Sequence, residues 1–455
     1  MTNDLDIVIL AAGLGTRMKS DIIKILHHAA GRPIIEYVLD VAAAISPRPP
    51  IMVIGHQREA VQQAVGDRAR YAVQEPQLGT GHAVLQAQAL CSEQRVLILS
   101  GDVPLTRPET LAKLLADHTG SGNALTLLTM QVEGENPYGR IVRDADHSVA
   151  RIVEVRDATA AEKAIGEVNA GIYVFDREHL FANLEKLSTN NAQGEYYLTD
   201  LVGMLRGAGH RVGAVMAEHW IEAIGVNSRA ELAMVDTVIQ QRVVAQLMEQ
   251  GVTFRNPNTV VIDSTVSIDR DTVIYPFVTL EGKTRIGARC VVEPGVHLIN
   301  VTAGENVHLK TGTVAEDAVI EDDASVGPYA HLRPGTRLGR KVKVGNFVET
   351  KKAVFGEGAK ASHLSYIGDA DVGADVNIGA GTITCNYDGV NKHKTTIEDG
   401  VFIGSDTQLV APVRIGKGAY VGAGSTITKD VPPDALALSR TPQRIIEGWA
   451  KKKKK

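Results

Sequence analysis

The pattern of apolar and polar positions changes period once along the chain, near residue 250. Before that point short apolar runs alternate with amphipathic stretches. The runs are "DIVILAAG", "PIMVIGH", "RVLILSGD", "ALTLLTMQV", "VNAGIYVF" and "RVGAVMA", and the stretches between them include "RPETLAKLLADH" and "GEYYLTDLVGML". Strands alternating with helices predict a mostly parallel α/β sheet covered on both faces. Residues 228–250 then read as one long helix, with Ser228 as its N-cap and Gly251 as its stop.

From residue 251 the period is six. Ile262, Ile268, Ile274, Leu280, Ile286, Val292 and Leu298 stand in one phase. A second block runs Val314, Ile320, Val326, Leu332, Leu338, Val344, and a third Ile397, Ile403, Leu409, Ile415, Val421, Ile427. One run of seven such hits arises by chance on the order of once in ten thousand trials if about a quarter of residues are aliphatic. Gly, Asn and Asp cluster between the ladder positions, as in "VGADVNIGAGT". That is the signature of a hexapeptide β-helix: each six residues form a strand and a turn, three turns close a triangular coil, and the repeated aliphatic side chain points inward. The phase slips between Leu298 and Val314 and again after Thr384. The second slip predicts that "TCNYDGVNKHKT" is extruded as a polar arm. A β-helix taken alone serves equally as an acyltransferase or as a scaffold.

The chain has 455 residues and a formal net charge of −5, so no global basic field suggests a nucleic-acid partner. Its apolar N-terminal run is too short for a signal peptide, and no uninterrupted apolar stretch is long enough to span a membrane. The three cysteines, Cys91, Cys290 and Cys385, are far apart, which argues against disulfides and zinc and fits a reducing cytoplasm. The closing run of lysines reads as a solvated tail.

After the first strand comes "ILAAGLGTRMKSDIIK". Gly13 and Gly15 permit a tight turn with close backbone approach to phosphate. Met18 breaks GxGxxG, and no GxxxxGK[ST] is present, which disfavours a dinucleotide fold and a P-loop. Arg17 and Lys24 add cationic charge suited to a triphosphate. The stretch resembles the LxxGxGTRM signature of sugar-1-phosphate nucleotidyltransferases, which implies that Leu10, Ala11, Ala12, Gly13 and Lys24 bind nucleotide and that Arg17 and Lys24 are catalytic. Further stretches match that family in order. "VQEPQLGTGHA" points to Gln74, Gly79 and Thr80; "LSGDVPL" to Asp102; "NPYGRI" to Gly139; "RIVEVRD" to Glu154; "VNAGIY" to Asn169; and "IGVNSR" to Asn227. The resemblance implies that Asp102 and Asn227 hold Mg2+. Ser100 stands where many relatives have an aromatic residue, and Ile23 where many have proline.

The segment "KASHLSYIGDADVGADVNIGAGTITCNYDG" resembles the acetyltransferase half of the bifunctional bacterial family that makes UDP-N-acetylglucosamine. With the N-terminal signature, the match covers essentially the whole chain. It implies a Rossmann-like uridyltransferase domain over 1–227, a linker helix over 228–250, a left-handed parallel β-helix over 251–437 and a tail over 438–455. His363 would be the general base of acetyl transfer, its unperturbed pKa lying close to neutral. Arg333, Lys351, Tyr366 and Asn377 would bind the sugar phosphate. Ala380, Asn386, Tyr387, Ser405, Ala423 and Arg440 would meet acetyl-CoA, with Asn386 and Tyr387 also matching the sugar and oxyanion contacts.

The expected substrates are glucosamine 1-phosphate, acetyl-CoA and UTP, and the expected product is a precursor of envelope polymers. The expected assembly is a cytoplasmic homotrimer with acetyltransferase sites between subunits, completed by Asn386 and Tyr387 of a neighbour's arm, with the basic tail near a neighbour's coenzyme A. Two alternatives remain open from the residues: another sugar or nucleotide on the same architecture, or a non-catalytic scaffold with this layout.

Overall fold

The computed structural model describes residues 4–13 and 15–452. The chain divides into two compact units, Met1–Ile239 and Gln240–Lys455, and the boundary falls inside the helix Arg229–Glu249. Ser228 and Glu231 support the start of that helix: the Glu231 N–H donates to Ser228 Oγ at 3.3 Å, and Glu231 Oε2 accepts from Ser228 Oγ at 2.9 Å and from the Asn227 N–H at 2.8 Å. The helix stops at Glu249, two residues before Gly251, whose φ of +94° a side chain would resist.

In the first unit the six apolar runs are all strands. The sheet order is Val212–Met216, Leu125–Gln131, Glu167–Asp176, Arg95–Ser100, Leu5–Leu10, Ile51–Ile54 and Arg70–Val73. All run parallel except Glu167–Asp176, which is antiparallel to both neighbours, so the sheet is mixed. Side chains on its two faces feed two separate apolar clusters, one containing Ile7, Ile9 and Leu97, the other Val8, Val96 and Ile98. This period-two division is what a sheet covered on both sides requires. The stretch 194–205 is helical only from Asp200; its first half is a loop whose Tyr196 carbonyl accepts from the Gly81 N–H at 2.8 Å.

The second unit is a three-sided prism of stacked coils. One face is an eleven-stranded parallel sheet, and the other two form a continuous seventeen-stranded sheet. Ile262, Ile274, Leu280, Val292 and Leu298 are wholly buried along its axis. The second ladder is read one residue off at its start. Ala315, not Val314, points inward, pairing with Leu298 and Leu332. The ladder is in fact unbroken from Leu298 through Ala303, Leu309, Ala315 and Ile320, because some corners are one residue tighter than others. Ile286, Ala303 and Ile320 still stack in register. Only beyond Thr384 is residue count truly added: Val372 pairs with Ile397, and the excess forms the arm.

Each edge of the prism carries a column of left-handed backbone positions. One column holds Asp271, Arg289, Asn306, Asp323 and Lys341, and another Asn300, Asp317, Lys352 and Asp369. The third holds Phe277, Tyr329, Phe347 and Leu364, all at φ between 47° and 61° and all more than half exposed. Tyr329 and Phe347 stack at 5.7 Å and 6°. Bulky apolar side chains seldom adopt this conformation, so the apolar edge is a costly choice for a solvent surface. No helix among the described residues is long and apolar enough to cross a membrane.

Candidate active sites

The loop leaving the strand Leu5–Leu10 bounds a cleft of about 480 Å3. Its walls include Leu10, Ala11, Ala12, Gly13, Arg17, Lys24, Gln74, Gly79, Thr80, Asp102 and Asn227, so eleven expected residues converge there from four separate stretches of sequence. Glycines make the closure possible. A Cβ on Gly15 would lie 2.9 Å from the Lys24 Cβ, and one on Gly79 2.7 Å from the Tyr196 carbonyl oxygen. Gln74 is buried and donates to the Gly79 carbonyl at 3.0 Å, while Thr80 Oγ1 accepts from the Leu198 N–H at 3.0 Å.

At the floor, Lys24 Nζ is ion-paired to Asp102 and donates to Asn227 Oδ1 at 3.0 Å. The Val226 N–H donates to the Asp102 carbonyl at 2.9 Å, tying the two loops together by main chain. A carboxylate and a carboxamide oxygen therefore share one cation, the oxygen-donor chemistry that suits a hard divalent ion completed by substrate phosphates. Among the described residues no group of three His, Cys, Asp or Glu side chains forms a cage that could hold such an ion without the substrate.

Gly139, Glu154 and Asn169 form a second cluster in the same unit. The Asn169 N–H donates to the Gly139 carbonyl at 2.8 Å, and Asn169 Nδ2 donates to Tyr173 Oη at 2.6 Å. A Cβ on Gly139 would sit 3.3 Å from Glu154 Oε1. Burial pushes the Glu154 carboxyl above its ordinary value, against a lowering hydrogen bond from Thr199 Oγ1 at 3.2 Å. The segment from Glu195 to Thr199 links the clusters, lining the cleft at one end and bonding Glu154 at the other. Gln77 and Glu195 also line the cleft and were missed. Gln77 lies within the "VQEPQLGTGHA" stretch and was legible there, whereas Glu195 was absorbed into a stretch read as helix. Ser100 lies in the cleft wall and donates to the Gly171 carbonyl at 3.3 Å, and Ile23 is buried.

On the prism, the expected residues fall into two neighbouring groups. His363 ends the strand Lys360–His363 at the apolar edge, and Ala380, Ser405 and Ala423 occupy the same edge in later coils. The Asp406 N–H donates to the Ala380 carbonyl at 2.7 Å and the Gly424 N–H to the Ser405 carbonyl at 2.9 Å. Arg440 Nη1 donates to the Ala423 carbonyl at 2.8 Å. This is a column of small side chains headed by an imidazole. Asn377 lies on the flat face just before the edge, between Lys360 and Phe402.

Across the corner are Arg333, Lys351 and Tyr366. Arg333 Nη1 donates to Glu349 Oε1 at 2.8 Å, and Glu349 pairs in register with Tyr366. The Lys392 ammonium, on the arm, lies against Lys351 and draws it below the ordinary lysine value. Like charges this close mark a place where an anion would be welcome. The arm is a short hairpin with a Tyr387–Lys392 bridge. Asp388 shapes its turn, accepting from the Val390 and Asn391 N–H groups at 2.8 and 2.6 Å and from His393 Nε2 at 2.7 Å. Asn386 turns back onto its own coil, buried and donating to Asp369 Oδ2 at 2.5 Å, so of the two expected arm residues only Tyr387 projects. Cys385 is partly exposed, and burial raises its thiol pKa. Lys453–Lys455 of the basic tail lie outside the described residues.

A nucleotide-sized cleft at the end of an α/β sheet and a histidine-headed column on a hexapeptide prism together define a two-domain transferase. Residues 7–195 match the MobA-like NTP transferase domain, and residues 394–429 match the bacterial transferase hexapeptide (six repeats) model. The chain is 51% identical to the Bifunctional protein GlmU of Trichlorobacter lovleyi over 98% of both chains. It is 50% identical to that of Heliobacterium modesticaldum over 98% of each, and 50% identical to that of Fervidobacterium nodosum over 99% of this chain and 98% of the relative. The chain belongs to the GlmU family of bifunctional uridyltransferase/acetyltransferase enzymes.

Proposed function

We propose that the prism acetylates glucosamine 1-phosphate from acetyl-CoA and that the cleft then transfers uridylyl from UTP to the product, giving UDP-N-acetylglucosamine and pyrophosphate. The observation that carries this reading is the presence in one chain of the Lys24–Asp102–Asn227 cluster and of a histidine heading a column of small residues.

In the cleft, Leu10, Ala11, Ala12 and Gly13 offer backbone to the nucleotide, and Gln74, Gly79 and Thr80 fix the base. Gly139, Glu154 and Asn169 receive the acetylated sugar. Arg17 and Lys24 hold the triphosphate and stabilise the charge passing to pyrophosphate, so the protein's part is positioning and neutralisation rather than covalent chemistry. Asp102 and Asn227 are the residues that would hold Mg2+, which when bound supplies further neutralisation of phosphate charge.

On the prism, Arg333 and Lys351 hold the sugar phosphate, with Tyr366 and Asn377 orienting the ring. His363 takes the amine proton as nitrogen attacks the thioester carbonyl. Asn386 and Tyr387 meet the reacting group, and Ala380, Ser405, Ala423 and Arg440 receive coenzyme A along the edge. The apolar edge beside His363 supports a homotrimer, since a second copy would cover Tyr329, Phe347 and Leu364, and Tyr387 on the projecting arm would then enter a neighbour's pocket. A cytoplasmic setting follows from the substrates.

The test supplies purified chain with glucosamine 1-phosphate, acetyl-CoA and UTP. Equal amounts of free coenzyme A, pyrophosphate and UDP-N-acetylglucosamine are expected, with dTTP and galactosamine 1-phosphate turned over far more slowly. Equal or faster use of either competitor would reject the substrate assignment.

A further inference from the structure

We infer that Asn346 is a positioning residue for acetyl transfer, setting the tautomer of His363 through a hydrogen bond to its Nδ1. This rests on the reading of His363 as general base. Asn346 and His363 stand in register in successive coils, and the two side chains meet with Nδ1 and Oδ1 2.6 Å apart. A carboxamide oxygen only accepts, so the ring nitrogen facing it carries the proton. The lone pair then resides on Nε2, the nitrogen on the far side of the ring from Asn346.

The surroundings hold this pair in place. The Leu364 N–H donates to the Asn346 carbonyl at 3.0 Å, and Ser365 Oγ donates to the His363 carbonyl at 2.8 Å. Gly345 permits the close stacking: a Cβ there would fall 1.9 Å from the Ser362 carbonyl oxygen, so any other residue would pry the coils apart beneath the imidazole. Asn346 is thus fixed by main chain on one side and by the glycine contact on the other.

During transfer the amine lone pair forms the new N–C bond and the C–S electron pair departs with the coenzyme A sulfur. The amine proton passes to His363 Nε2 and from there to the thiolate. Throughout, Nδ1–H remains bonded to Asn346 Oδ1, so the ring neither turns nor changes tautomer between the two proton movements.

The test compares Asn346→Leu, Asn346→Asp and His363→Ala in the full chain, with uridylyl transfer and trimer content as checks on folding. Asn346→Leu removes the acceptor at nearly constant volume. It should lower kcat for acetyl transfer about 10–100-fold, the scale of losing one hydrogen bond to a group that becomes charged in the transition state, with KM values within about twofold. Asn346→Asp keeps the acceptor and should recover most of kcat relative to Asn346→Leu. In 15N-histidine spectra, the resonance that vanishes in His363→Ala should be Nδ1-protonated in the parent and lose that preference in Asn346→Leu. If His363→Ala acetylates normally, the general-base reading fails. If His363→Ala is inactive while Asn346→Leu keeps parental kcat and tautomer, the Asn346 inference alone is overturned.

Discussion

Phe347→Ser tests whether the apolar edge of the prism is covered by another copy of the chain. Phe347 is 56% exposed in the isolated chain although its φ is +55° and Tyr329 stacks on it. A phenylalanine offers about 200 Å2, so roughly 100 Å2 remains to be covered, worth about 2.5 kcal/mol at ~25 cal/mol per Å2. Three protomers each losing that contact weaken trimer formation by roughly 7 kcal/mol, about five decades in the association constant. Because that constant scales with the square of concentration, the dissociation midpoint should rise roughly 300-fold. Sedimentation velocity over a dilution series reads this directly, with Phe347→Tyr as the conservative control. Acetyl transfer should fall with dissociation and uridylyl transfer should not. A Phe347→Ser chain that stays trimeric to the parent's own dilution limit and acetylates normally would refute the reasoning.

Three other outcomes follow from the geometry. Glu154 has a raised pKa from burial. A carboxyl of this kind contributes stability below its unfolded pKa and loses it as pH rises through the folded value, so at neutral pH its charge is a cost. Glu154→Gln should therefore raise the Tm of the uridyltransferase unit at pH 7, with the gain shrinking near pH 4, while raising KM for the acetylated sugar; a lower Tm at pH 7 would contradict this. Hydrogen bonds from Asn391, His393 and Val390 hold the Asp388 carboxyl at about 2, so the turn of the arm keeps that support above the unfolded carboxylate range and loses it as pH falls towards 2. Asp388→Ala should cut acetyl transfer about tenfold, as losing about 1.5 kcal/mol of hydrogen bonding to a charged group would, and Asp388→Asn much less, because Oδ1 still accepts from Val390 and Asn391; equal loss in both, read by coenzyme A release, would show that the ion pair matters instead. Phe355 is 1% exposed in the prism, and Phe355→Ala should cost about 3–5 kcal/mol, seen by calorimetry in the transition of the second unit.

The sequence revealed the prism because aliphatic residues at a strict period are conspicuous. It hid the tighter corners because Ala303, Ala315 and Ala361 fill inward positions without standing out as apolar, and because a coil one residue shorter has nearly the same cross-section. The antiparallel course of Glu167–Asp176 was not legible, since apolar periodicity carries no information about strand direction. The cleft could be named only through resemblance: Lys24 meets Asp102 and Asn227 from 78 and 203 residues away, and no local pattern encodes such a meeting. Asn346 and Lys392 escaped for a similar reason. One looked like another polar corner residue and the other like a solvated lysine, and each acquires meaning only from the coil stacked beside it.

One chain is proposed to carry two chemically independent sites, a phosphate-transferring cleft and a histidine-assisted prism. The most direct measurement assays Asp102→Ala and His363→Ala separately for both half-reactions, each variant being checked for parental assembly. Asp102→Ala should lose uridylyl transfer and acetylate at the parental rate, and His363→Ala should do the reverse. Loss of both activities in either correctly assembled variant would contradict that independence.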